Sequence, residues 1–460
     1  MARLRPFSLP FLFGFFIGLP IFFSVQGGIS LAPEFSQAVA TNSNVLPLST
    51  FLMFGATLFF GLALIAGYAR MQLIREDTIV ILYFVIVTFD FIMGVFDGSI
   101  RTEFVPIVRY LSYYFQSVMP VAAYALARLI VFDGKVKLQP EEYAERTQQF
   151  VAGFVIAILL SLTGYIVQTI LTGPAISNFT ILSDHIGPFY NYTVKRFYSV
   201  YLYSAGIFLL AVYLFGYVRL RTRILTLIGG GGCYLIIPLL WSRTVMVAGA
   251  IGGLSLLAFT FNWKRIRYAK RTGMMFGTGA AVIVLGLFVL GLGGKSIDRI
   301  VDTIERLGAV ADQLNSADSA RFARMSVAVQ DGLLTPLGDE FQPYIGGHSL
   351  IAENGYLDIA VKGGPIALCL ALLVFIMASG ASLELSRDSY RNPALRKYRW
   401  LEIGIFLNIF VFTVWINIWV NVATEPYTAP FFWSLFSLVL APISVARSER
   451  ARLAAAAARA

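Results

Sequence analysis

The sequence predicts an all-α membrane protein, a polytopic bundle of about 12 transmembrane helices with one large, partly helical loop on the outer face. Of its 460 residues, 57% are hydrophobic and only 13% are charged, which is about half the charged fraction of a typical soluble domain. The apolar residues form runs long enough to cross about 30 Å of hydrocarbon as helices. The high apolar content excludes a disordered chain. A disulfide scaffold is excluded because only two cysteines are present.

Twelve apolar runs define the predicted spans. They cover residues 8–26, 48–69, 78–96, 104–131, 150–172, 198–218, 225–241, 244–262, 274–294, 365–384, 400–421 and 430–446. The chain therefore divides into residues 1–294 with spans one to nine, residues 295–364 as the large loop, and residues 365–460 with the last three spans and a tail.

The placement of Lys and Arg predicts the orientation of the spans. If the N-terminus is cytoplasmic, 25 of the 36 Lys and Arg residues fall on the cytoplasmic side, as the positive-inside rule requires. Both termini are then cytoplasmic. We interpret the net charge of +10 as anchoring residues that face anionic lipid, and no nucleic-acid partner is predicted from it.

The loop at residues 295–364 is about 70 residues long, and loops of that length usually carry function or structure of their own. Apolar residues at helical spacing from Ile297 to Leu307 predict an amphipathic helix. Ser316 or Asp318 is a suitable N-cap for a second helix. The loop is thus predicted to hold amphipathic helices on the outer face.

Three arginines are predicted on the outer face, although the positive-inside rule favours Lys and Arg on the cytoplasmic side. Arg243 lies in a short hairpin between spans seven and eight, and Arg321 and Arg324 are three residues apart on one predicted helix face. Guanidinium groups at this spacing suit a diphosphate, which they bind through paired hydrogen bonds. For Arg321 and Arg324 the alternative is a solvated ion pair with Asp318 and Asp331.

Arg109 is a fourth candidate, because it lies about five residues inside span four. A charge in the membrane costs roughly 2.5–3.5 kcal/mol on insertion scales and usually faces a cavity. Ligand binding and an ion pair with Asp90 or Asp97 are both open for this residue.

His348 is one of only two histidines, and both are predicted on the outer face. It is a candidate general base or ligand partner, and the alternative is a helix-capping or surface histidine.

The chain has no phosphate-binding glycine loop followed by Lys and Ser or Thr, no His-Glu-x-x-His and no Cys/His zinc spacing. No metal and no cofactor are predicted.

The segment from Glu353 to Pro365, which reads Glu-Asn-Gly-Tyr-Leu-Asp-Ile-Ala-Val-Lys-Gly-Gly-Pro before an apolar run, resembles a known signature. It closes the large periplasmic loop of the O-antigen polymerase and ligase superfamily. Arg243 in Trp-Ser-Arg and the stretch from Ser319 to Arg324 are similar to two arginine segments of that family. The chain departs from the family in having Glu353 where a histidine commonly precedes the asparagine.

The resemblance implies a membrane glycosyltransferase of the bacterial inner membrane, with its active site facing the periplasm. Such an enzyme takes glycan from an undecaprenyl diphosphate-linked oligosaccharide. A polymerase transfers it to a sugar hydroxyl of another lipid-linked repeat unit, and a ligase transfers it to lipid A core. The variant at Glu353 favours the polymerase. Membrane lipid and a chain-length regulator protein are the further partners implied.

The resemblance and the residue chemistry together imply specific roles. Fixed cations stabilise the charge that develops on a diphosphate leaving group, and a carboxylate or imidazole accepts the proton of the attacking hydroxyl. The diphosphate-binding candidates are Arg243, Arg321, Arg324 and Arg109. The catalytic candidates are Glu353 and His348, with the choice between them open, and the sugar-binding candidates are Asn354 and Tyr356.

A lipid-linked sugar flippase or secondary transporter is the competing class. Transporters of this kind are built from two related halves with interrupted spans at matching positions. The glycines at 229–232 would interrupt span seven, and Asn408 and Asn417 mark span eleven. No counterpart repeat is visible in the sequence, so the enzyme is favoured.

Overall fold

The protein is mainly helical in the part of the chain that the computed structural model describes. The described residues are 8–19, 22–24, 45–96, 104–134, 140–171, 195–215, 220–236, 243–260, 329, 333, 344–345, 348–349, 354–391, 404, 408 and 428–440. The predicted all-α class is confirmed, with two very short β pairs in addition.

The described residues include ten helices, numbered here in chain order. Their bounds are α1 Leu9–Gly18, α2 Leu48–Ile65, α3 Arg75–Phe96, α4 Phe104–Phe132, α5 Pro140–Leu171, α6 Lys195–Phe215, α7 Leu220–Ile236, α8 Arg243–Thr260, α9 Gly355–Arg391 and α10 Ala429–Leu440. The strands are β1 Phe22–Ser24, β2 Val45–Pro47, β3 Tyr344–Ile345 and β4 His348–Ser349. The β1–β2 and β3–β4 pairs are both antiparallel.

Ten of the twelve predicted runs coincide with a helix from α1 to α10. The run at 274–294 lies outside the described residues, and the run at 400–421 is represented there by helical Gly404 and Asn408. Among the described residues, two stretches are both long and apolar enough to cross a membrane, Glu145–Gly164 in α5 and Gly363–Glu384 in α9. The number of spans therefore stays a prediction.

Helix α10 forms the centre of the bundle, since every residue of Ala429–Leu440 is buried. The Trp433 ring packs edge-on against Phe375 of α9, with ring centroids 6.2 Å apart. Phe431 stacks on Phe154 of α5 at 4.9 Å. An apolar sequence on all sides of a helix is typical of a buried position, and in α10 aromatic rings from several helices surround it.

Small residues bring α1 and α5 into close contact. Gly14 and Gly18 of α1 face Gly153 and Ala157 of α5, and a Cβ atom built on Gly14 would collide with the Phe150 carbonyl oxygen. Spacing of four between small residues is typical of tightly packed membrane helices. The N-terminal helix therefore packs on α5 at backbone distance, and the Phe13 and Phe150 rings lie beside this contact with centroids 6.1 Å apart.

Helix α3 is apolar on two opposite faces. The inward face buries Val80, Tyr83, Val87 and Asp90. The other face exposes seven large apolar side chains, namely Ile81, Leu82, Val85, Phe89, Ile92, Met93 and Phe96. Helices α2, α7 and α9 also expose large apolar side chains. Apolar surface of this extent is uncommon on soluble monomers and marks contact with a membrane or another protein.

The predicted interruption of span seven at residues 229–232 is wrong, because α7 runs continuously through these four glycines. A Cβ atom on Gly230 would lie 3.0 Å from Cγ of Leu210 on α6. The glycines therefore let two helices approach each other closely. They are no longer an argument for a transporter.

Candidate functional site

The candidate site begins at Asn354, in the segment whose sequence resembles the O-antigen polymerase and ligase signature. The Asn354 side-chain Oδ1 accepts hydrogen bonds from the backbone N–H groups of Tyr356 at 3.0 Å and Leu357 at 3.2 Å. It thus occupies the N-cap position of α9, a place that asparagine favours because it satisfies otherwise unpaired N–H groups. Since Oδ1 binds backbone, the predicted sugar contact of Asn354 would come from its amide NH2 group.

Helix α9 contains a sharp bend eight residues after it begins. Gly363 has φ −159° and ψ 18°, and Gly364 has φ 69° and ψ −177°, so neither is helical. The positive φ of Gly364 favours glycine, which lacks the Cβ atom that makes this region costly. Pro365 then starts the second part, as proline commonly does at the first position of a helix. The Gly-Gly-Pro sequence therefore separates a short helix, residues 355–362, from a long one, residues 365–391.

The short helix at residues 355–362 is buried against α3. Asp358 is only 6% exposed, and its neighbours Ile359 and Ala360 are also buried. A Cβ atom on Gly363 would lie 3.3 Å from Val87, one turn further along α3. Tyr356, on the first turn, is half-buried and packs against the main core. The segment is thus built into the bundle and is not a free loop end.

Helices α3 and α4 run antiparallel beside this segment. The hydroxyls of Thr88 and Tyr114 are hydrogen-bonded at 3.1 Å, and the Phe91 and Tyr114 rings stack with centroids 4.5 Å apart. This register places the backbone of Arg109, in the first part of α4, within about one helical turn of the level of Asp90. The predicted pairing of Arg109 with Asp90 is compatible with this placement and stays a prediction. Asp97 lies outside the described residues.

The remaining predicted site residues are described in part. His348 lies in β4 opposite Ile345 of β3, in a hairpin whose strands are joined by two glycines. Arg243 is the first residue of α8. Glu353, Arg321 and Arg324 lie outside the described residues, so the predicted meeting of the arginines around one diphosphate stays a prediction.

The sequence analysis missed the most strongly hydrogen-bonded cluster in the described structure. Arg128, one of the 25 Lys and Arg residues predicted on the cytoplasmic side, is fully buried and forms an ion pair with Asp77 at 3.0 Å. The Tyr124 hydroxyl also donates to Asp77, at 2.8 Å. No pattern in the sequence indicates that Asp77 pairs with Arg128, because the two residues lie on different helices.

Within the described part of the chain, no three His, Cys, Asp or Glu side chains converge as metal ligands do. The groups of the described site are an amide, a phenol and buried carboxylates, all of which are capable of hydrogen bonding. No protein-family model and no curated protein matches the chain.

Proposed function

We propose that the protein is a membrane glycosyltransferase of the O-antigen polymerase type. It transfers glycan from an undecaprenyl diphosphate carrier to a sugar hydroxyl of another lipid-linked repeat unit, on the periplasmic side of the bacterial inner membrane. The observation that carries the proposal is the folding of the segment that resembles the family signature. Asn354 caps a short buried helix, a glycine bend follows, and a long apolar helix begins at Pro365.

The exposed apolar faces support a bilayer as the surroundings of this fold. Helix α3 exposes Leu82, Val85 and Phe89 on the face opposite its buried one, and such a face is stable where its neighbours are hydrocarbon chains. The stretch Gly363–Glu384 of α9 has the length and hydropathy of a membrane span. In the proposed topology the glycine bend precedes the tenth span, and it lies inside the bundle beside Val87, the midpoint of the predicted third span at 78–96.

The proposed reaction is an exchange of one C–O bond for another at the anomeric carbon. The oxygen of the acceptor hydroxyl attacks that carbon, the bond to the diphosphate breaks, and undecaprenyl diphosphate leaves with the electron pair. The hydroxyl proton passes to Glu353 or His348. Arg243, with Arg321, Arg324 or Arg109, stabilises the charge on the departing diphosphate.

The test is chain extension by the purified protein in nanodiscs with lipid-linked repeat units as the substrate. Wild-type protein is expected to yield a ladder of glycan lengths. Arg243→Ala is expected to lower the rate by about a hundredfold or more, as loss of a charge-stabilising group does. Arg221→Ala is the matched control, because Arg221 is exposed at the start of α7 on the predicted cytoplasmic side. A normal ladder from Arg243→Ala removes this residue from the mechanism.

The same assay separates the alternative activities. Product that forms only when lipid A core is supplied indicates a ligase, and movement of substrate across the bilayer without a new glycosidic bond indicates a flippase. For the base, Glu353→Gln and His348→Ala are compared in parallel. We expect one of them to lose activity, and full activity in both would refute proton transfer by this segment.

A further inference from the structure

Two buried tyrosine hydroxyls lie between α6, α7 and α8. The Tyr203 side chain of α6 is fully buried, and the hydroxyl oxygen of Tyr234 in α7 is buried as well. Neither hydroxyl has a hydrogen-bond partner among the residues that the structure describes. A buried hydroxyl without a partner destabilises a fold, and nearly all such groups in proteins bind protein atoms or ordered water. These two phenols therefore call for an acceptor.

The two phenols border the same stretch of α8. Their ring centroids are 6.4 Å apart, with the planes at 56°. A Cβ atom built on Gly252 would lie 2.5 Å from the Tyr203 hydroxyl oxygen, so this hydroxyl reaches the α8 backbone. A Cβ atom on Gly249, one turn earlier in α8, would lie 3.8 Å from Cε1 of Tyr234. Glycine at both positions lets the rings approach the helix.

Space remains between Gly249 and the Tyr234 ring. Gly249 is buried, yet Cε1 of Tyr234 is the one described atom outside α8 that lies within 4 Å of its Cβ position. At Gly206 of α6, by contrast, two atoms would lie 3.0 Å from a Cβ atom. A water molecule inside a protein needs a small space and at least two polar partners. The space beside Gly249 and the two phenols meet both requirements.

We propose that Tyr203 and Tyr234 bind one buried water molecule in the space beside Gly249, where α6, α7 and α8 meet. The water oxygen accepts the hydrogen bonds of both phenols. The three helices are thereby joined by hydrogen bonds as well as by apolar packing. The inference is independent of the proposed function, because no residue of the proposed reaction takes part in it.

The first test is the equilibrium constant for unfolding of the full-length protein in detergent. Tyr203→Phe and Tyr234→Phe are each expected to raise it about two- to tenfold, as loss of a hydrogen bond does. The double variant is expected to lose no more than the stronger single variant, because both hydroxyls bind one water. Tyr201→Phe is the matched control on α6. Its hydroxyl donates to the Ile17 carbonyl oxygen at 3.2 Å, so its effect is expected to multiply with that of Tyr234→Phe.

Two results of this test overturn the inference. One is an unchanged or lower unfolding constant in Tyr203→Phe or Tyr234→Phe, because removal of a buried hydroxyl without a partner does not destabilise the fold. The other is a double variant in which the two effects multiply, since the hydroxyls then bind separate acceptors.

The second test fills the space with a methyl group. In a dry space Gly249→Ala would stabilise, because alanine favours a helix interior. With water bound, the methyl group displaces it and leaves both phenols without partners, so the unfolding constant is expected to rise at least about twofold. Gly253→Ala is the matched control on α8. No described atom lies within 4 Å of its Cβ position, so this variant is expected to lower the constant about two- to fivefold. A stabilising Gly249→Ala overturns the inference.

The direct test is a cryo-electron microscopy map of the protein in nanodiscs at a resolution that shows ordered water. A density peak within about 3.2 Å of both hydroxyl oxygens is expected. A map that shows other buried waters and none here overturns the inference. If Gly249→Ala does not fold, the tyrosine variants and the map decide. If wild-type protein extends no glycan, the proposed function fails and these measurements still test the water site.

Discussion

The N-terminal ends of α3 and α9 are stabilised by different kinds of interaction. At the first turn of α3, side chains make the connection. Asp77 binds the Arg128 guanidinium and the Tyr124 hydroxyl, and it accepts the Ile74 backbone N–H at 2.8 Å. At the start of α9 the interactions are local: the Asn354 side chain accepts backbone N–H groups of its own helix, and Gly364 adopts a positive φ. Burial of a charge thus requires many partners at once, whereas a bend needs only the right residue type.

The cluster at α3 also fixes the connection between α2 and α3. The Arg128 guanidinium donates to the Gln72 carbonyl oxygen at 2.7 Å, and the Gln72 N–H donates to the Gly134 carbonyl oxygen at 2.8 Å. Gly134 has φ 66°. The end of α4 and the α2–α3 connection therefore form one hydrogen-bonded unit, in which loss of the central charge affects several segments.

The largest expected effect is that of Asp77→Ala. Removing one partner of a buried ion pair leaves the other charge without compensation and costs about 3–5 kcal/mol. Chemical unfolding in detergent, followed by circular dichroism, measures this change in the free energy of unfolding. The matched control is Glu142→Ala, which removes a partly exposed ion pair with Arg146 at 2.9 Å and is expected to cost about 0.5 kcal/mol or less. Equal losses in the two variants would contradict the distinction between buried and exposed pairs.

The next effect in size is that of Gly364→Ala. With φ 69° and ψ −177°, Gly364 occupies a backbone region almost restricted to glycine, where a side chain costs about 1–3 kcal/mol, so the bend and the packing of the short helix are expected to weaken. Gly380→Ala is the control in the same helix, because a Cβ atom there would meet no atom within 4 Å, and it is expected to stabilise by about 0.5–1 kcal/mol. Both values come from unfolding curves, and a neutral Gly364→Ala would show that the bend does not need glycine.

The smallest effect is expected for Asn354→Ala, which removes the cap of α9. Loss of an N-cap costs about 0.5–2 kcal/mol. Hydrogen exchange of the Tyr356 and Leu357 amides reports it locally, and Asn354→Ser is expected to restore most of the protection because serine also caps helices. If Asn354→Ser and Asn354→Ala exchange at the same rate, capping is not the contribution of this side chain.

The local features of the α9 region follow from sequence rules. An asparagine before an apolar helical run is an N-cap signal, and Gly-Gly-Pro is a bend signal. The resemblance to the polymerase and ligase superfamily implied a sugar-binding role for Asn354. The cap shows that a local structural role was readable from the same residues.

The helix positions and the helical class were determined by the order of the amino acids, since apolar runs of sufficient length form helices wherever they are packed. The pairing of Asp77 with Arg128, the central place of α10 and the packing of Gly363 beside Val87 were decided by the packing of helices distant in the sequence. Apolar character states that a helix is buried or lipid-facing, but it does not name the neighbour. That choice depends on shape and charge complementarity, which exist only once the helices have come together.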